Sequence, residues 1–360
     1  MSREAVLLLA PSRGLGGGIE RYVATIEAAF ARHAVRYRRL DLFRPGARGG
    51  VPRRVALVRE VSAAVRDAGG PVRLVLAHRN LLPVVRVAAR HANFAGATVL
   101  VHGSELWSGR RARGTATMRR PDVRVLAASA FSAGALSRTC RAAVLHPGVA
   151  ADWYGTLVAA GGPPRTGDEV RLVTAFRLAA WRGKGLETVL RAVDLLADDR
   201  VRLTICGAGP APPDLVATAA RHPWCAVLPD LPDTDLAARL AGADLFVLGT
   251  RTRPGAAASG EGFGLVLLEA QLAGTPVVPP AYGGSDDAYL RGITGLAPVD
   301  ETPEALATVL ATLIRDDARR AGMARAAAAW SRARFEPAAY GRHTVEMILG
   351  LGQGNRADSG

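Results

Sequence analysis

The sequence predicts an α/β protein made of two doubly wound parallel-sheet domains in tandem. Three observations carry this expectation. Short apolar runs of strand length alternate with longer amphipathic stretches along nearly the whole chain. The alternation breaks at Thr156–Asp168, around Gly-Gly-Pro-Pro-Arg-Thr-Gly-Asp, and then restarts. Finally, 360 residues with 49% hydrophobic content can fill two cores, and a charged fraction of 22% excludes a disordered chain or a coiled coil.

In chain order, Ala5–Ala10 reads as a strand and Ile19–Arg32 as a helix. Val35–Leu40, Val72–Ala77, Thr98–Val101, Val123–Ala127 and Ala142–Leu145 read as further strands, with helices at Arg53–Arg66, Leu81–His91 and Ala130–Arg138. After the break come strands at Val170–Ala175, Val201–Cys206, Ala226–Leu228, Asp244–Leu248 and Pro276–Val278. Gly185–Leu196, Asp214–Arg221, Asp233–Ala241, Leu265–Ala273, Glu304–Asp316, Ala318–Ala333 and Pro337–Leu349 read as helices. The expected division is therefore a first domain over 1–155, a linker over 156–168, a second domain over 169–335, and a terminal helix and tail over 336–360. The terminal helix is expected to cross back to the first domain. Such a tandem places a cleft between the domains, and ligands of open parallel sheets bind beyond the carboxyl ends of strands, near the topological switch point.

Three scattered cysteines, Cys140, Cys206 and Cys225, are too few for a disulfide framework or a zinc site. No apolar run reaches membrane-spanning length, and Ala5–Ala10 is too short for a signal-peptide core. The expectation is a soluble cytoplasmic protein that uses no metal. Its net charge of +14 is uneven: residues 1–150 hold 25 arginines against 8 acidic residues, a net of +17, and the remainder is at −3. Arg32, Arg36, Arg38, Arg39, Arg44, Arg48, Arg53, Arg54 and Arg59 form one cluster, and Arg110, Arg111, Arg113, Arg119 and Arg120 another. These arginines are either a solvated surface or a field for an anionic partner such as an acidic substrate or an anionic membrane face. No aromatic stacking motif interleaves with them, so nucleic acid is not expected.

Of the 46 basic residues only Lys184 is a lysine. A compact ammonium can sit on a phosphate where a planar guanidinium does not fit. The loop Phe176–Gly185 follows a strand, opens a helix and carries Arg177, Arg182 and Lys184, a layout that can neutralise a diphosphate without a metal. Solvated loop charges are the plainer alternative. The loop Gly14-Leu15-Gly16-Gly17-Gly18 also joins a strand to a helix, but lacks the Lys-Ser/Thr of a P-loop. It is either an anion cradle or a tight turn. In Gly260-Glu261-Gly262-Phe263-Gly264-Leu265-Val266-Leu267-Leu268-Glu269 two carboxylates stand eight apart, one in a Gly-rich loop and one inside an apolar helix. The helix dipole accounts for Glu261, but Glu269 among Leu, Val and Ala needs polar partners, and sugar hydroxyls suit it.

Glu261 to Glu269 resembles the E-x7-E motif of retaining glycosyltransferases of the GT-B fold, the large family four (glycosyl transferases group 1). Gly16-Gly17-Gly18-Ile19-Glu20 resembles that family's glycine loop, His102-Gly103 its acceptor-side histidine, and Pro147-Gly148-Val149 the end of its first domain. Arg177 with Lys184-Gly185 resembles its diphosphate-binding pair, and Gly207-Ala208-Gly209-Pro210 its turn near the nucleotide. Ala273–Val278 and Tyr282–Ser285 resemble the segments after E-x7-E. Two departures stand out. Arg182 occupies the commoner position of the second cation, with Lys184 two residues beyond it, and Ala150 stands where an acid often follows Gly-Val.

The resemblance implies two Rossmann-like domains facing a cleft and the metal-free transfer of a hexose-type sugar from a nucleoside diphosphate sugar, UDP favoured, to an acceptor hydroxyl. Catalytic roles are implied for His102, Arg177, Lys184 and Glu261, with Arg182 in reserve for Lys184. Donor-binding roles are implied for Gly16, Gly17, Gly18, Gly207, Gly209, Gly262, Phe263, Gly264, Leu265 and Glu269. The acceptor is a small molecule, a lipid-linked saccharide or a glycan, with the Arg-rich first domain suited to the inner membrane face. A nucleotide-sugar 2-epimerase, a pyridoxal-phosphate-dependent sugar phosphorylase and a non-catalytic nucleotide or polyanion binder are the competing readings.

Overall fold

The computed structural model describes residues 4–14, 17–43, 50–103, 106, 114–162, 168–253 and 259–351. The chain divides into two compact units, Met1–Ala150 with Pro337–Gly360, and Ala151–Glu336.

The first unit holds a six-stranded sheet in the order β2-β1-β3-β4-β5-β6, parallel at every pairing. Its strands are β1 Ala5–Ser12, β2 Tyr37–Phe43, β3 Val72–Leu76, β4 Phe94–Val101, β5 Val123–Ala127 and β6 Ala143–Val144. Val6–Ala10 of β1 are all buried, as expected of a central parallel strand covered on both faces. Leu7 and Leu9 join the cluster around Leu57, Val61 and Leu74, while Leu8 and Ala10 join Tyr22, Ile26 and Phe30 of the helix Gly18–Arg32. The chain leaves β1 for β2 on one side and returns to β3 on the other, so the switch point lies between β1 and β3.

The terminal helix Pro337–Leu349 belongs to this unit. Val345 and Ile348 enter the Tyr22–Ile26–Phe30 cluster, and Thr98 Oγ1 donates to Ile348 O at 2.6 Å. Tyr340 donates from Oη to His146 O at 2.8 Å, and its ring leaves no room for a Cβ at Gly148. The Pro147-Gly148 segment is thus shaped to receive this helix.

The second unit holds a five-stranded parallel sheet ordered β11-β10-β7-β8-β9, with β7 Val170–Ala175, β8 Val201–Gly207, β9 Cys225–Pro229, β10 Leu245–Val247 and β11 Val277–Val278. Its switch point lies between β7 and β10, where Leu172 and Val173 register with Leu245 and Phe246. The core runs from Leu172, Leu203 and Val247 to Leu186 and Leu190 on one helix and Leu306 and Leu310 on another.

Two expectations require correction. The linker expected over 156–168 is helical at its start, because Ala151–Ala160 is one helix with Trp153 and Leu157 buried, and the second unit begins at Ala151. Gly155 in its middle and the Gly161-Gly162-Pro163-Pro164 stop signal masked it. The second strand runs over Tyr37–Phe43, later than expected, because Ala34 takes a left-handed conformation (φ 53°) and extends the turn after the preceding helix.

Candidate active site

The switch point of the second sheet brings together two of the charged residues singled out in this half, Lys184 and Glu261. After β7 the chain makes a short 3-10 turn, Leu178–Ala180, then runs through Trp181–Lys184 into the helix Leu186–Leu196. Gly185 caps that helix at φ 67°, and a Cβ there would lie 1.7 Å from Gly249 O. Gly249 follows β10, and a Cβ on it would meet Gly185 O at 2.7 Å. The two loops therefore touch backbone to backbone at the switch point, which only glycine permits. This contact brings Lys184 to Glu261: Nζ lies 2.8 Å from Oε2, with side-chain exposures of 31% and 12%. Thr250, just past Gly249, donates to the same oxygen at 3.4 Å.

Glu261 is held through its own backbone. Gly284 N–H donates to Glu261 O at 2.8 Å, and Gly283 (φ 123°) approaches that carbonyl so closely that a Cβ would sit 2.9 Å away. Three residues on, Gly264 (φ 82°) opens the helix Leu265–Leu272, and no side chain caps that helix. The first-turn N–H groups of a helix lack intrahelical partners, and they create a positive end suited to an anion. Gly262 and Gly264 are buried, and Phe263 packs its ring on Phe335 at 6.5 Å. The Phe263 side chain is thus an anchor in the core.

The two candidate second cations separate clearly. Arg182 ion-pairs with Asp214, stacks over the Trp181 ring at 4.2 Å and is largely exposed. That pairing holds the Asp214 carboxyl below the usual carboxylate range. Lys184, not Arg182, meets Glu261. Arg177 begins the 3-10 turn on the exposed loop after β7. Gly207 ends β8 against that loop, where a Cβ would stand 2.1 Å from Phe176 O. Gly209 (φ 87°) faces open space and donates its N–H to Asp230 Oδ1 at 2.6 Å. Glu269 sits on the apolar helix at 5% exposure, and its Oε1 accepts from Trp153 Nε1 at 2.9 Å.

In the first unit, Gly17 (φ 102°) precedes the helix Gly18–Arg32, and Glu20 in the first turn accepts from Gly14 N–H at 3.0 Å and from Ser12 Oγ. Gly16 lies outside the described residues. His102 follows β4, and its Nε2 lies 2.7 Å from Ala77 O. A carbonyl only accepts, so this nitrogen carries a proton. His78, after β3, accepts from Asn80 N–H through Nδ1 at 3.1 Å and stacks near His102 with centroids 6.1 Å apart. Tyr22 meets His102 edge-on at 5.9 Å.

Sequence reasoning missed Thr250, His78 and Trp153. Thr250 and His78 share a legible signal, a polar residue just beyond the end of a strand. Trp153 has none. The arginine field is partly paired: Arg39 with Glu27 and Asp41, Arg53 with Glu60, Arg73 with Glu4 and Arg120 with Asp122. Arg32, Arg36, Arg38, Arg54 and Arg59 are exposed, while Arg44, Arg48, Arg110, Arg111 and Arg113 lie outside the described residues. Among the described residues, no helix is long and apolar enough to cross a membrane.

These two parallel sheets define the GT-B fold class. The chain matches Anabaena HepE, solved with UDP and glucose, at a TM-score of 0.71 and 18% identity, covering 96% of this chain and 100% of that one. It matches sucrose-phosphate synthase from Thermosynechococcus elongatus at 0.75 and 17%, covering 97% and 99%. Within the chain, residues 165–330 match the family Glycosyl transferases group 1. A D-inositol 3-phosphate glycosyltransferase of Corynebacterium glutamicum (strain R) is 35% identical over 152 residues, 39% of this chain and 34% of that protein. A GDP-mannose-dependent alpha-(1-6)-phosphatidylinositol monomannoside mannosyltransferase of Mycolicibacterium smegmatis is 33% identical over 127 residues, 35% of this chain and 33% of that protein. The chain thus spans about a third of the length of these curated relatives.

Proposed function

We propose that the protein is a retaining glycosyltransferase that moves a hexose-type sugar from a nucleoside diphosphate sugar, with UDP favoured, to an acceptor hydroxyl without a metal ion. The observation that carries this reading is the meeting of Lys184 and Glu261 at the switch point of the second sheet, three residues before an uncapped helix N-terminus. Such a site offers a cation and backbone N–H groups for a diphosphate, and a carboxylate for sugar hydroxyls. The diphosphate, carrying more charge than one carboxylate, draws Lys184 from Glu261, and Glu261 turns to the sugar.

Arg177 shares the diphosphate with Lys184, Gly262 to Leu265 contact it through backbone N–H groups, and Glu269 takes the ribose hydroxyls. Gly207 and Gly209 line the nucleotide. The bond from the anomeric carbon to the diphosphate oxygen breaks and a bond to the acceptor oxygen forms on the same face. The acceptor's proton passes to the departing phosphate oxygen. Arg177 and Lys184 stabilise the charge that grows there, and losing such a group typically costs about 3–4 kcal/mol of transition-state stabilisation. His102, with its Nε2 held by Ala77 O, is assigned to the acceptor side. The net +17 of residues 1–150 suits an anionic acceptor, or one held at the anionic inner face of a membrane.

A thermal-shift panel of UDP, GDP and dTDP with their sugars tests this. UDP or its sugar is expected to raise the melting temperature most. A GDP response instead would replace the base and keep the site. No response to any nucleotide would contradict the enzyme reading, and epimerised sugar released without acceptor would point to the epimerase.

A further inference from the structure

The helix that carries Glu269 is gripped by residues none of which bears a role in the proposed transfer. Arg332 donates twice to Leu272 O at its carboxyl end, at 3.2 and 3.1 Å, and Tyr154 Oη donates to Arg332 O at 3.1 Å. Gly161 leaves room for that guanidinium, since a Cβ there would stand 2.6 Å from Arg332 Nη2. In the middle of the helix Trp153, itself only 8% exposed, donates its indole N–H to Glu269 Oε1. The neighbours Leu267, Leu268, Ala270 and Leu272 are buried and apolar. A carboxylate in such surroundings has its direction set by whichever donor it finds.

Resting on the donor reading above, we propose that Trp153 is a positioning residue for Glu269, aiming its carboxylate at the ribose of the nucleotide. Indole suits this task. It is rigid, and its buried N–H requires an acceptor. It is also neutral, so it orients the carboxylate without cancelling the charge that accepts hydroxyl protons. Lys184 on Glu261 is the contrasting case, where the partner is a cation. Trp153 touches neither the sugar nor the diphosphate in this scheme, so its effect is confined to the ribose.

The test is titration of UDP, 2′-deoxy-UDP and inorganic pyrophosphate into wild type, Trp153→Phe and Glu269→Gln, with GDP and 2′-deoxy-GDP as a parallel pair. Wild type is expected to prefer the ribonucleotide at least tenfold. Trp153→Phe keeps the ring and removes the N–H, and is expected to cut that preference at least threefold with pyrophosphate affinity unchanged. Loss of affinity for all three probes alike would show a merely structural tryptophan and overturn the proposal. If Glu269→Gln erases the preference while Trp153→Phe retains it, the proposal falls and the donor reading stands. If neither nucleotide pair binds, or Glu269→Gln changes nothing, the donor reading falls and takes this one with it. Should Trp153→Phe not fold, the indole N–H signals of the five tryptophans in 15N-labelled wild type supply the measurement. One of them is expected to move in Glu269→Gln and on adding UDP or GDP but not pyrophosphate; no such signal would overturn the proposal.

Discussion

Gly185→Ala isolates the contact on which the site's geometry depends. The new Cβ would stand 1.7 Å from Gly249 O. The two loops must separate by about 1.7 Å before that contact becomes ordinary, and a close-packed interior resists such a shift. The backbone at φ 67° adds its own strain. A left-handed alanine costs about 1–2 kcal/mol, and overpacking about 1–3 kcal/mol. The expected loss is therefore about 2–5 kcal/mol, or roughly 5–15 °C in Tm for a unit of this size. Lys184 immediately precedes Gly185, so the same displacement moves Nζ off Glu261. A misplacement of about 1 Å can cost roughly a hundredfold in rate. Gly183→Ala is the control: its Cβ would meet only Ala180 O, at 3.5 Å. Calorimetry and donor turnover of both variants decide the matter. If Gly185→Ala matches Gly183→Ala in both, the glycine–glycine contact does not position the site.

Arg182→Ala should bind nucleoside diphosphate within about threefold of wild type, because Arg182 is engaged with Asp214 and Trp181, and surface pairs of this kind contribute little. The same variant should let the Asp214 carboxyl rise toward its ordinary range, as a carbon-detected NMR titration would show. Stability should fall as pH climbs above about 9. Burial pushes the Cys206 thiol up to about 11, the Cys225 thiol to about 12, and Tyr289 and Tyr340 to about 12. The folded chain holds these protons after the unfolded chain has begun to release them, so their contribution is full below the unfolded values and is lost as pH rises through the folded ones. Urea denaturation at pH 8 and pH 10.5 checks this, and equal stability at the two would contradict the burial of these groups.

Both sheets were legible because their strands are short, apolar and separated by amphipathic helices, a pattern that burial on both faces imposes. The glycines at 185, 207 and 264 were visible, but their reasons were not. Gly185 answers to Gly249, 64 positions away, and Gly207 to the carbonyl of Phe176. The spacing placed Arg182 and Lys184 as rivals; the structure separates them through Asp214 and Glu261, partners that lie far off in the chain. Phe263 lay within a stretch expected to touch the donor, yet its ring turns to Phe335, since a large aromatic beside a glycine turn is driven into the nearest core. The helix Ala151–Ala160 was obscured by Gly155 and by the stop signal after it, and with it went Trp153, whose polar partner is 116 residues away.

The most direct measurement of the central claim is isothermal titration of UDP and GDP into wild type and Lys184→Ala. Wild type should bind one of them, and the variant should bind it at least thirtyfold more weakly while keeping its fold. Equal affinity in the two proteins would mean that the diphosphate rests somewhere other than on Lys184 at the start of the helix Leu186–Leu196.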